Sequence, residues 1–255
     1  MKLTSFLSQN LGSSASIFFP LRKYAFFGII VLVGFNLPAN AQINKNQPTW
    51  WFGVAGGANY NRYTGNTRSL NTDIHPAAGF NRGSGYGGYV AAVVEYHHKS
   101  GVWGLMLQQG ADNRTGKFEN AGNKLEAHLS YFTVEPSLVI MIPKTGFHIY
   151  AGPRFGFLWG SEFTFKEPNR PVYPDGIVNY PAYVENTNIN PVSMQVGVGY
   201  NLKLNSGSAS TQFVLAPFVT YLPSLNKSIR TLETLKLNTL RAGIVLKAGR
   251  VSKND

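Results

Sequence analysis

The feature that most constrains this chain is an alternation of apolar and polar side chains with a period of two. In Leu129 to Ile142, the residues Phe132, Val134, Pro136, Leu138, Ile140 and Ile142 alternate with Tyr131, Thr133, Glu135, Ser137, Val139 and Met141. Successive side chains of a strand point to opposite faces, so one face of this segment is wholly apolar. Phe147 to Gly160 repeats the pattern, with Phe147, Ile149, Ala151, Pro153, Phe155, Phe157 and Trp159 on one side. His148, Tyr150, Gly152, Arg154, Gly156 and Leu158 form its small or polar second face. Six more segments pass the same test: Trp50 to Tyr60, Gly85 to His97, Val102 to Asp112, Val192 to Lys203, Thr211 to Tyr221 and Leu237 to Lys247. The alternation predicts an all-β chain of eight strands.

The connections between these segments alternate as well. After the second, fourth and sixth strands the chain turns in His97 to Gly101, Pro143 to Gly146 and Lys203 to Ser210. After the first, third, fifth and seventh it runs through Asn61 to Ser84, Asn113 to His128, Ser161 to Pro191 and Leu222 to Lys236, all rich in Asn, Pro, Gly and charge. An antiparallel up-and-down barrel gives this alternation, and transmembrane barrels place short turns in the periplasm and long loops outside the cell. The apolar stripes carry two aromatic belts, as residues at a membrane interface do. Trp50, Phe52, Tyr96, Trp103, Phe147, Tyr200 and Phe213 lie near the short turns. Tyr60, Tyr86, Phe132, Phe157, Trp159 and Tyr221 lie near the long loops. A soluble barrel of the lipocalin kind points its apolar side chains inward and would leave these rings in water.

The amino terminus bears on the compartment. Arg22-Lys23 is followed by the apolar run Tyr24 to Phe35 and then by Pro38-Ala39-Asn40-Ala41-Gln42, the order of a secretory signal cleaved after Ala41. The run is too short for a membrane helix, which needs about 20 apolar residues. The reading is therefore a signal peptide over 1–41, a periplasmic segment over 42–49, a barrel over 50–247 and a tail over 248–255. Without Lys2, Arg22 and Lys23 the formal charge falls from +11 to +8, spread along the chain without a run, which speaks against a nucleic-acid partner. The chain has no cysteine, so thiolate catalysis, disulfides and Cys-type metal sites are excluded.

Tyr131-Phe132-Thr133-Val134-Glu135-Pro136-Ser137-Leu138, Ile149 to Phe157 and Thr239 to Lys247 carry a family resemblance. The chain resembles the small eight-stranded outer-membrane barrels of Gram-negative bacteria, including OmpX and the OmpA membrane domain, and most of all the "porin family" proteins of the Bacteroidota. That resemblance implies a place in the cell outer membrane among lipid and lipopolysaccharide. It also implies passage by periplasmic chaperones and the barrel-assembly machinery. Two departures stand out: no peptidoglycan-binding domain follows the barrel, and the last strand continues into Ala248 to Asp255 without a terminal aromatic.

Few residues carry chemistry. Gly83-Ser84-Gly85-Tyr86-Gly87-Gly88 matches a dinucleotide fingerprint, but no strand leads into it and no helix follows, so it reads as loop and barrel-lining glycine. His97-His98 reads as a solvated turn rather than a metal site. His128 and Ser130 share a face and form the one candidate base–nucleophile pair. They resemble the His-x-Ser of outer-membrane lipid A deacylases, although Tyr131-Phe132-Thr133 replaces the Asn-Ala-Gly of that family. The reading is no enzyme, no cofactor and no metal.

Eight strands enclose a space that side chains fill. Centring the turn Pro143 to Gly146 pairs Ile142 with Phe147 and sets Glu135 opposite Arg154 on the inner face. Arg241 falls at a similar depth, and Glu95 sits nearer the short turns, with Lys203 and Lys247 as partners in reach. These charges predict a plugged lumen, leaving a structural or interaction role through the loops, with an extracellular ligand at 61–84 and 161–191. A lipid-modifying enzyme, a small ion-conducting pore and a secretion accessory are the alternatives.

Overall fold

Each alternating segment forms a strand, and most strands run further than their apolar stripe. The computed structural model describes residues 47–67, 80–120, 123–166, 180–181, 192–205, 209–225 and 236–251. The long strands are β1 (Trp50–Thr67), β2 (Phe80–His97), β3 (Trp103–Asn120), β4 (Asn123–Met141), β5 (Phe147–Lys166), β6 (Val192–Tyr200), β7 (Thr211–Leu222) and β8 (Lys236–Arg250). Every strand pairs antiparallel with its neighbour in sequence, and β8 pairs with both β7 and β1. The sheet therefore closes on itself as an eight-stranded up-and-down barrel without a free edge. The tight turns need left-handed backbone at Gly101 (φ 69°), Lys144 (φ 67°) and Gly146 (φ 81°).

Several strand ends differ from the sequence reading. Asn61–Thr67 and Phe80–Ser84, read as loop, belong to β1 and β2. Asn113–His128, read as a long connection, is strand on both sides of residues 121–122, which lie outside the described residues. Ser161–Lys166 extends β5, and β8 continues through Ala248–Arg250, into the proposed tail. Beyond the membrane a paired ladder satisfies its backbone whatever its side chains, so Asn, Gly and Thr do not end it. Arg62 pairs with Ser84 and Asn238, and Asn120 with Asn123. The glycine run 83–88 is likewise strand, inside β2. In the other direction, β6 stops at Tyr200, and Leu202–Lys203 rejoins the ladder against Leu215 and Val214. Tyr180–Pro181 pairs with Thr164 and Phe165, within the span read as loop.

β1 to β5 have 18 to 20 residues, against 9 to 15 for β6 to β8. A tilted strand crosses a bilayer in about 9–11 residues, so β1 to β5 have several residues to spare and stand clear of the membrane at one end.

The two faces of this wall are inverted relative to a soluble protein. Phe52, Val54, Val90, Leu105, Leu107, Ile149, Val198, Val219, Leu240, Ile244 and Leu246 are exposed on the outside. Inside, Asn59, Asn61, Glu95, Gln108, Asp112, Glu135, Arg154, Gln195 and Arg241 are buried. Apolar side chains also fill the bore, including Val93, Met106, Val139, Tyr150, Ala216, Phe218 and Val245.

Candidate functional site: a charged plug across the lumen

Inward-pointing residues at one depth come from strands all around the ring, so charges far apart in sequence meet at the axis. Leu138↔Ala151 and Val134↔Phe155 bracket Glu135 and Arg154 in the β4–β5 ladder. Arg154 Nε donates to Glu135 Oε1 at 3.0 Å. Arg241, on β8, donates through Nη1 to Glu135 Oε2 at 2.9 Å and through Nη2 to Asp112 Oδ2 at 3.2 Å. Asp112, on β3, also accepts from Arg154 Nη2 and, at 3.0 Å, from Arg114 Nε. Asn59 of β1 joins both signs: its amide donates to Asp112 Oδ1, and its carbonyl accepts from Arg241 Nε at 3.0 Å. The Arg241 guanidinium lies over the Tyr89 ring, 3.5 Å from its centroid. Asp112, Glu135 and Arg154 have no exposed surface, and Arg241 has 1%.

A second ion pair closes the short-turn end. Lys247 Nζ donates to Glu95 Oε2 at 2.6 Å, and the His97 ring meets the other oxygen of the same carboxylate. The Lys247 ammonium sits 5.6 Å from the Trp51 ring centroid. Between the two charge layers, Glu95, Gln108, His148, Tyr150 and Lys247 line a void with room for about one water. Isolated charges would be costly in a buried interior; here each carboxylate has cationic partners, most of them reaching across the bore from strands that are not adjacent to its own.

All four lumen residues predicted from sequence, Glu95, Glu135, Arg154 and Arg241, thus lie inside, three of them in one cluster. Lys203 is exposed and does not partner Glu95. His97, read as part of a solvated turn, is buried beside Glu95, because it still holds an inward strand position; only His98 is on the turn, stacked on Trp103 with centroids 4.6 Å apart. Asp112 was missed, although it shares the inner parity of Gly104, Met106 and Gln108. Arg114 was missed because its segment reads as loop.

The predicted interface aromatics face outward in cross-strand groups. Trp50 packs on Tyr96, and Tyr96 on Trp103, with centroids 5.1 and 6.5 Å apart. Tyr200 meets Phe147 at 4.7 Å, completing this part of the lower belt. Above, Tyr60 pairs with Tyr86 at 5.3 Å and Phe157 with Phe132 at 6.5 Å. Trp159 (64% exposed) is the extra residue of a bulge opposite Ser130/Tyr131, and Tyr221 is exposed on β7. The ten-residue step from Trp50 to Tyr60 rises about 25 Å in a strand tilted as barrel strands are, the height of the apolar band of outer-membrane barrels.

His128 and Ser130 point outward, just above Phe132. Ser130 Oγ donates to Asn113 Oδ1 at 3.0 Å. The register sets Glu162 across from His128, yet no hydrogen bond joins His128 to Ser130 or to Glu162 among the described residues. The pair is present without the base–nucleophile contact. The described residues also hold no group of three or more His, Asp or Glu able to take a metal ion.

A family model for the outer membrane protein beta-barrel domain matches residues 40–249. The fold is also similar to three solved structures. One is Ail, the attachment invasion locus protein of Yersinia pestis, solved in complex with the heparin analogue sucrose octasulfate (12% identity, 78% of this chain and 98% of that one, TM-score 0.37). The second is Neisserial surface protein A (10% identity, 78% and 96%, TM-score 0.34). The third is OprG from Pseudomonas aeruginosa (10% identity, 80% and 97%, TM-score 0.35). No curated protein sequence matches the chain.

Proposed function

The chain belongs to the outer membrane protein beta-barrel domain family, and from that premise we propose that it is a closed-lumen barrel acting through its extracellular end rather than by conducting solutes. It resides in the cell outer membrane. The observation that carries the reading is the plug: Asp112, Glu135, Arg154 and Arg241 bridge β3, β4, β5 and β8 across the bore, all buried. Eight strands leave an interior that side chains can fill, and here they fill it with salt bridges that an open pore would have to break. The tall walls of β1 to β5 and the connections they carry, within 61–84 and 161–191, are the surface left for a ligand or partner. Residues 1–41 serve as the export signal, and chaperones and the assembly machinery handle the chain before insertion. Lipid A deacylation is not adopted, because the Ser130 hydroxyl is given to Asn113 and not to His128.

Planar bilayers test the reading. The purified barrel should give no large steady conductance, whereas the Asp112→Ala/Glu135→Ala double variant, if it folds, should give brief openings. A large steady conductance in the wild type would remove the closed-lumen function.

A further inference from the structure

Above the upper aromatic belt the outward face is charged, and its charges are unevenly matched. On β3 and β4, Lys117 lies 3.6 Å from Glu126 and Lys124 lies 3.2 Å from Glu119. On β8, β1 and β2, by contrast, the outward charges are Lys236, Arg62 and Arg82, all exposed. The register makes them neighbours: Thr64 of β1 has Lys236 on one side and Arg82 on the other, and Arg62 is the next outward residue below it. Diagonal neighbours of this kind lie about 7–8 Å apart, within reach of long side chains converging on one group. None of the three has a salt-bridge partner among the described residues. The acid that continues the register opposite Arg82 is Glu119, already engaged by Lys124. Directly below the trio stand Tyr60, Tyr86 and Leu240, exposed on the same three strands, with Tyr60 and Tyr86 in ring contact. An apolar floor at the membrane surface, with three cations above it that have no salt-bridge partner among the described residues, suits an anion tethered to acyl chains.

We propose that Arg62, Arg82 and Lys236 form a binding site on the outer wall for the phosphate-bearing headgroup of an outer-leaflet lipid. The acyl chains lie along Tyr60, Tyr86 and Leu240, and the Thr64 hydroxyl is available between the cations. Two guanidiniums suit a phosphate because each can donate two parallel N–H groups to its oxygens. The site rests on the proposed orientation, in which the long connections are extracellular. It deepens the proposed function by giving the outer wall a lipid partner beside whatever the loops engage.

The test uses the mature chain purified in neutral detergent, with bound lipid read by native mass spectrometry. The probes are diphosphorylated lipid A, the same lipid after phosphatase treatment, and inorganic phosphate as competitor. Wild type should retain the diphosphorylated lipid. The triple variant Arg62→Gln/Arg82→Gln/Lys236→Gln should retain it roughly tenfold less or weaker still. The control Lys117→Gln/Lys124→Gln, which removes cations already matched by acids, should change retention less than about twofold. Equal retention by wild type and triple variant, equal loss in the control, or equal binding of the dephosphorylated lipid each overturns the proposal. Full displacement by millimolar inorganic phosphate overturns the lipid assignment in favour of a free-anion site. A heat-shifted gel band confirms that each variant is a folded barrel. Labelling of a cysteine at position 99, described below, fixes orientation separately, so a failed site and a reversed barrel give different results.

Discussion

At the scale of single residues the lumen is organised by Asp112 more than by Glu135. Three guanidiniums converge on Asp112 Oδ2, from Arg114, Arg154 and Arg241, and Asn59 occupies the other oxygen. Glu135 holds two of the same arginines, one on each oxygen. Removing one partner of a buried pair typically costs about 3–5 kcal/mol, because it leaves the other charge uncompensated. Glu135→Gln should therefore destabilise the barrel by about that much, and Asp112→Asn by more, since it strands a third arginine in the same volume. Urea unfolding from lipid vesicles measures both. A smaller loss for Asp112→Asn than for Glu135→Gln would show that Arg114 draws little from the plug. Glu135→Gln with Arg154→Gln should cost less than the sum of the single changes. The Glu135–Arg154 pair is legible in the sequence because one four-residue turn sets the register of β4 against β5. Asp112 is legible by parity but stands where the apolar stripe of β3 ends. Its link to Arg241 depends on closure of the ring, which no local pattern encodes.

At the scale of elements, the strands fit because large inward rings face inward glycines. A Cβ on Gly197 would lie 2.3 Å from the Tyr150 ring, and one on Gly116 would lie 2.6 Å from the Tyr63 ring. Such pairs let an eight-stranded bore hold tyrosines without widening. Gly197→Val should cost about 1–3 kcal/mol by overpacking, and Tyr150→Leu in the same chain should recover part of the loss. If Gly197→Val alone unfolds at the wild-type urea concentration, the ring does not pack across that glycine. Alternation made the central stretch of every strand legible, since half-buried strands need it. It failed at the strand ends above the upper aromatic belt, where the apolar face stops and only the ladder continues. There Asn61, Gly116 and Thr115 read as loop by composition while β1 and β3 run on through them. The same blindness hid the outward cations, because Arg62, Arg82 and Lys236 acquire a shared face only once those extensions are strand.

For the whole molecule, the inside-out distribution of side chains and the two aromatic belts define a membrane-spanning ring, but they do not by themselves say which end faces outward. The asymmetry of the connections supplies that: tight turns at His98 to Val102 and around Lys144 at one end, walls of 18 to 20 residues rising beyond the belt at the other. Outer-membrane barrels have short periplasmic turns and longer extracellular connections, which puts the tight turns on the periplasmic side. Because the chain has no cysteine, one introduced at a time reports orientation without background. Lys99→Cys places a thiol on an exposed turn residue, and Asn169→Cys places one between Pro168 and Pro171, in the connection that follows β5. A membrane-impermeant maleimide added to intact cells should label position 169 and leave position 99 unlabelled, and permeabilising the outer membrane should then label both. Since Lys99 is exposed in the fold itself, only the membrane can protect it. Labelling of position 99 in intact cells, with 169 protected, would invert the barrel and move the Arg62, Arg82 and Lys236 cluster to the periplasmic surface.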